Sequence, residues 1–154
     1  MKTGLANIFA TCLLAASVAP AQSKPSVAQQ ILPLLHQQVV AANAHDTDSF
    51  LATFLHDPSI TFVFNGQIIR GFDNLREQQL KWWKNGKSDA VYIEQGQPEI
   101  DGLDAHTALV TQELASHRTM PDGKPHDDKF VITSIWQKLP AGWRVTYCHE
   151  SHTP

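Results

Sequence analysis

Between residues 90 and 151 the chain offers little besides strands, and that run narrows the choice of fold more than any other feature. The stretches 90–97, 99–103, 107–118, 129–139 and 143–151 read as strands. A polar turn over 120–128, holding Pro121-Asp122-Gly123, and a short turn Pro140-Ala141-Gly142 separate the last three. Such short connections force neighbouring strands to pair antiparallel, because a parallel pair needs a crossover of a dozen residues or more. The helices therefore have to come from what precedes this run.

They do. Over residues 27–44, Val27, Ile31, Leu34, Leu35, Val39 and Ala42 recur at helical spacing, with Pro33 a point where the helix would kink or restart. Asp46 suits the N-cap of a short helix over 47–55, which Asp57-Pro58 would end. Residues 60–64 and 67–70 flank Asn65-Gly66, a strong hairpin turn. Asp73 is a candidate cap for a helix over 74–84, stopped by Asn85-Gly86. Helices first, a hairpin, one helix and then a sheet is the order of an α+β domain with helices on one face of a curved sheet.

The N-terminus reads as an address. Lys2, the apolar run 5–18 and the small-x-small sequence Ala19-Pro20-Ala21 fit a secretory signal peptide over 1–21, leaving a single domain over 22–154. About 14 apolar residues fall short of the ~20 that span a bilayer, so no stable membrane anchor is expected after cleavage. A periplasmic or secreted protein follows. Cys148 would then be the only cysteine, which excludes an intramolecular disulfide and favours a thiol buried in the sheet. With Lys2 gone, eleven basic residues face fifteen acidic ones. No nucleic-acid surface is expected from that balance.

Near the C-terminus, Trp136, Gly142-Trp143-Arg144-Val145, His149 and Ser151 form a pattern, and Gly71-Phe72-Asp73 opens a helix that ends in Trp82-Trp83. Together these resemble the SnoaL-like and nuclear transport factor 2-like superfamily, which has a cone-shaped, cystatin-like α+β fold. The branch containing the association domain of calcium/calmodulin-dependent kinase II is the most similar. The resemblance implies a pocket between the concave sheet face and the helices, and a homodimer through the sheet. It does not imply one activity, because the superfamily includes isomerases, cyclases, dehydratases, ligand binders and assembly domains. The association domains line their pocket with arginines, and the matching positions here are Leu114, Ser134 and Glu150, so an anion site of that type is not expected.

Strand alternation sorts the candidate site residues. Ala108, Val110, Gln112, Leu114 and Ser116 share one face, as do Ile132, Ser134 and Trp136; on the last strand, Thr146, Cys148 and Glu150 oppose Val145, Tyr147, His149 and Ser151. Alternation alone does not say which face is inside; the resemblance places Leu114, Ser134 and Glu150 inward. On that reading Glu150 is the leading acid/base candidate, a carboxylate at an apolar, tryptophan-lined cavity. His149 is the second, although the same motif in noncatalytic assembly domains favours a structural role. Trp83 matches a pocket aromatic of the association domains, against the plainer reading of core packing, and Tyr92 or Tyr147 would donate to a carbonyl. Gln112, Leu114, Ser134 and Trp136 complete the expected wall. Asp101, Asp104, Asp122, Asp127 and Asp128 all fall in turn-like sequence, which counts against an aspartate base.

Eight histidines invite a metal reading, yet His149-Glu150-Ser151-His152 is not HExxH and the others are scattered. Neither a phosphate-binding glycine loop nor a nucleophile elbow is present, so no metal or other cofactor is expected. The sequence points to binding of a small apolar or mixed ligand, with lyase or isomerase chemistry as the activity such a pocket would support. The alternative is a noncatalytic dimerisation or accessory module with a vestigial pocket.

Overall fold

The computed structural model describes residues 24–152. The signal-peptide expectation over 1–21, with Cys12, lies outside them. Three helices, α1 (Val27–Asn43), α2 (Thr47–Leu51) and α3 (Phe72–Trp82), pack on a sheet of seven strands. These are β1 (Thr61–Phe64), β2 (Gln67–Arg70), β3 (Val91–Glu94), β4 (Glu99–Gly102), β5 (Thr107–Thr119), β6 (Pro125–Leu139) and β7 (Gly142–His152). The order is β2-β1-β7-β6-β5-β3, with β4 also paired to β5, and only the β1–β7 pair is parallel. The result is the expected α+β architecture: N-terminal helices on a curled, mainly antiparallel sheet, a cystatin-like arrangement.

Local sequence explains most boundaries. Ser26 and Gln29 form a capping box, the Gln29 amide donating to Ser26 Oγ and the Ser26 amide to Gln29 Oε1. The helix then runs through Pro33, which lies on the exposed side, while Ile31 and Leu35 face the core. Asn65 and Gly66 both have positive φ, as a two-residue primed turn requires. No helix of the described residues is long and apolar enough to cross a membrane.

Four departures from the sequence expectation have a clear physical reason. First, α2 stops at Leu51, not 55, because the next residues bond to β7: Leu55 donates to the Val145 carbonyl and Val145 to that of Thr53, each at 2.9 Å. Second, α3 begins at Phe72 because Gly71, at φ +85°, supplies the turn; Asp73 sits in the first turn instead of capping it. Third, the expected turn over 120–128 is only the tip of a hairpin, since Pro125–Asp128 pair with Ser116–Thr119. Fourth, the β6–β7 register shifts at Ile135/Trp136, leaving Thr146 as the extra residue of a bulge. Val145 and Cys148 are therefore both buried, although strict alternation assigns them to opposite faces.

The core lies between the helices and the middle of β5, β6 and β7. Ile31, Leu51, Leu75, Val110, Trp136 and Val145 are at most 2% exposed. Cys148 is a free, buried thiol in the same cluster, and burial pushes its pKa well up, which leaves it unreactive.

Candidate functional site

Beyond that core the sheet and helices part around a cavity of about 330 Å³, within the range of small-molecule sites. Leu35, Gln38 and Val39 of α1 face it from one side, and Phe62, Phe64 and Trp82 from another. Its sheet wall comes from alternate residues of three strands: Gln112, Leu114, Ser116 and Arg118 of β5; Phe130, Ile132 and Ser134 of β6; Cys148, Glu150 and His152 of β7. Exposed Lys84, Asp89, Thr119, Met120 and Pro121 form the rim. Aromatic and aliphatic side chains make up more than half of the lining, and polar ones the rest.

Two of the polar lining residues, Glu150 and His152, converge with Asp128. His152 Nδ1 lies 2.5 Å from Asp128 Oδ2, and its Nε2 lies 2.9 Å from Glu150 Oε1. All three side chains are 13–17% exposed. With an acceptor on each ring nitrogen, the ring needs both of its protons, or one carboxyl must hold a proton instead. Phe130 stacks on the ring at a centroid distance of 5.2 Å, and Phe64 meets it edge-on at the same distance, which fixes its orientation. The Glu150 hydrogen bond, helped by Asp128, raises the His152 pKa above its usual value against the opposing effect of burial.

Strand register produces this meeting. Phe130 pairs with His152 and Ile132 with Glu150, and Asp128 is one inward step beyond Phe130 on the same face. Across the cavity, Trp83 Nε1 donates to the Tyr92 hydroxyl at 2.9 Å. That bond occupies an oxygen lone pair and leaves the phenolic proton free to point to a ligand. Burial raises the Tyr92 pKa, so it remains a neutral donor.

The sequence-derived candidates separate. Glu150, Trp83, Tyr92, Gln112, Leu114 and Ser134 line the cavity. His149 does not: it is exposed on the opposite sheet face, beside Thr133 and Val63, because it is one residue out of step with Glu150. Trp136 lies outside the cavity wall, fully buried in the core, with its Nε1 donating to Ser134 Oγ at 3.0 Å. Tyr147 also falls on the outer face, paired between Ile135 and Thr61. Sequence reasoning missed His152 and Asp128. Both follow from continuing the inward alternation by one step, from Glu150 forward and from Phe130 back. Among the described residues no group of His, Cys, Asp and Glu is arranged to hold a metal ion.

The histidine makes a pH prediction. A raised folded-state pKa means its stabilisation is complete below the unfolded value of about 6.5 and is lost as pH rises through the folded value. The Tm gap between the native protein and His152→Gln should therefore be several degrees wider at about pH 5.5 than at about pH 8.5. Scanning calorimetry at both pH values checks this; an equal gap would contradict the paired geometry.

No protein-family model matches the chain, and no curated protein matches it in sequence. Solved structures match it in fold. A nuclear transport factor 2-like superfamily protein from Salmonella enterica superposes with a TM-score of 0.72 at 18% identity, covering 82% of this chain and 90% of its own. A ketosteroid isomerase-like protein from Erwinia carotovora gives 0.67 at 20%, covering 81% and 95%. The association domain of calcium/calmodulin-dependent kinase II from C. elegans gives 0.64 at 18%, covering 80% and 93%. At these identities the likeness concerns the fold, which is nuclear transport factor 2-like.

Proposed function

We propose that this nuclear transport factor 2-like chain is an exported protein that binds a small apolar or mixed molecule and moves a proton on it, as a lyase or isomerase does. The observation behind this reading is the Glu150–His152–Asp128 group set in the wall of an apolar cavity. Glu150 Oε1 is taken by His152, while Oε2 makes no hydrogen bond among the described residues. That second oxygen is the base: it would remove a proton from carbon beside a carbonyl. The Tyr92 hydroxyl would donate to the carbonyl oxygen as negative charge develops there. Imidazolium at His152 would stabilise the Glu150 carboxylate, with Asp128 holding the ring in place. Return of the proton to a neighbouring carbon completes an isomerisation; loss of a leaving group completes an elimination.

Two measurements test this. Native mass spectrometry of protein taken from its own host should find a small molecule retained. Proton NMR in D₂O should show the protein accelerating α-proton exchange of enolisable ketones. An empty protein that accelerates no exchange would sink the enzymatic reading. It would leave the noncatalytic assembly module, whose supporting observation is the outer sheet face.

On that face Val91 and Ile93 of β3 are 49% and 50% exposed, and Val131, Thr133 and Ile135 of β6 are half-buried. We propose that two copies pair through it. Thr133→Arg, near its centre, should convert a dimer to monomer in light scattering without lowering Tm by more than a few degrees. A native protein that is monomeric at micromolar concentration overturns the pairing.

A further inference from the structure

We propose that the cavity rim carries an anion site centred on Arg118, and that the ligand is an amphipathic carboxylate whose apolar body fills the aromatic interior. This rests on the reading of the cavity as a ligand site and adds the chemical class. The first observation is what Arg118 lacks. Arg76 is paired with Asp48, Arg70 donates to Thr61 and Arg144 to the Trp143 carbonyl. Arg118 makes no hydrogen bond or ion pair among the described residues, although it is half-buried and lines the cavity. A guanidinium at a cavity wall with no protein partner is open to a bidentate pair with an oxyanion.

The second observation is its position. Arg118 continues the inward series Gln112, Leu114 and Ser116, so its strand aims it at the cavity. The rim carboxylate that shares this end, Asp89, is occupied by the Thr119 amide at 2.9 Å and lies within the field of Lys84. Asp128 is committed to His152. Neither neutralises Arg118.

The third is spacing. His152 shares a row with Phe130 and Leu114, and Arg118 is four residues further along β5, about 13 Å of strand. Tyr92, opposite Ser116, falls between the two rows and lies within the field of both Arg118 and Glu150. A ligand anion held at Arg118 therefore stays away from Glu150, while its apolar body passes Tyr92 and reaches the proton-transfer group. One planar guanidinium matches one carboxylate; the other rim cation, Lys84, is exposed and already lies in the field of Asp89, whereas a phosphate dianion would call for two cations or a helix terminus aimed at it. The site differs from the arginine-lined positions of the association domains, which here are Leu114, Ser134 and Glu150.

The test uses carboxylates of about four to ten carbons, straight-chain and phenyl-substituted, each paired with its neutral primary amide. Binding to the folded protein is followed by tryptophan fluorescence and calorimetry. The carboxylates should bind about tenfold or more tightly than their amides, and less tightly as salt rises. Arg118→Gln should erase that preference, and a circular dichroism spectrum and Tm matching the native protein's show that the variant is folded. Arg118→Lys should restore part of it. If carboxylate and amide bind the native protein equally, the anion site is wrong and the cavity reading stands. If neither binds, both fail. If Arg118→Gln keeps the preference, the anion is held elsewhere and the proposal is overturned.

Discussion

Trp136→Ala should lower stability by about 3–5 kcal/mol, the cost of deleting a large aromatic side chain from a packed core. Trp136 is fully buried against Val110 and Val145 in the central cluster, and its indole nitrogen donates to Ser134. Since the whole folding free energy of such a domain is only about 5–15 kcal/mol, a Tm loss of roughly 10–20 °C is expected. Trp136→Phe keeps most of the volume and loses the hydrogen bond, and should cost roughly 1–2 kcal/mol. Urea denaturation monitored by circular dichroism measures both free energies, and a thermal melt gives the Tm. A Tm change of only a degree or two for Trp136→Ala would mean that this side chain is not the centre of the core.

The second large effect concerns chemistry and rests on the proposed proton transfer. Glu150→Gln keeps the shape of the side chain and an oxygen to accept from His152, and removes the base. α-Proton exchange should fall by about 10²–10⁴-fold, the usual worth of a positioned general base, while ligand affinity changes only a few-fold. His149→Ala is the matched control. It alters the adjacent residue, but on the exposed face, and should leave exchange unchanged. Equal losses in the two variants would show that the effect comes from disturbing β7 and not from losing the Glu150 carboxylate.

These two variants also mark the limits of sequence reasoning. Trp136 and Glu150 were both visible as candidates for one face, and they do share a side of the sheet. One belongs to the core and the other to the cavity because the helices cover the first and withdraw from the second. His149 and His152 were harder to separate. They fall on opposite faces by parity, and parity says nothing about which face the helices cover. Asp128 was hidden for another reason. Proline, aspartate and glycine crowd residues 120–128 and suggest one long turn, whereas the long-range pairing of β5 with β6 extends both strands past it. Pairing energy from a thirteen-residue ladder outweighs weak local propensity.

By itself the amino-acid order determined the helices-then-sheet architecture, the Asn65-Gly66 hairpin and the alternation along β5 and β6, because each follows from local sterics and periodicity. Tertiary structure alone decided three things: the burial of Val145 and Cys148 together across the Thr146 bulge, the capture of His152 between two carboxylates, and the isolation of Arg118 at the rim. Each depends on the register between strands distant in sequence. A shift of one residue would turn every one of these side chains to the other face.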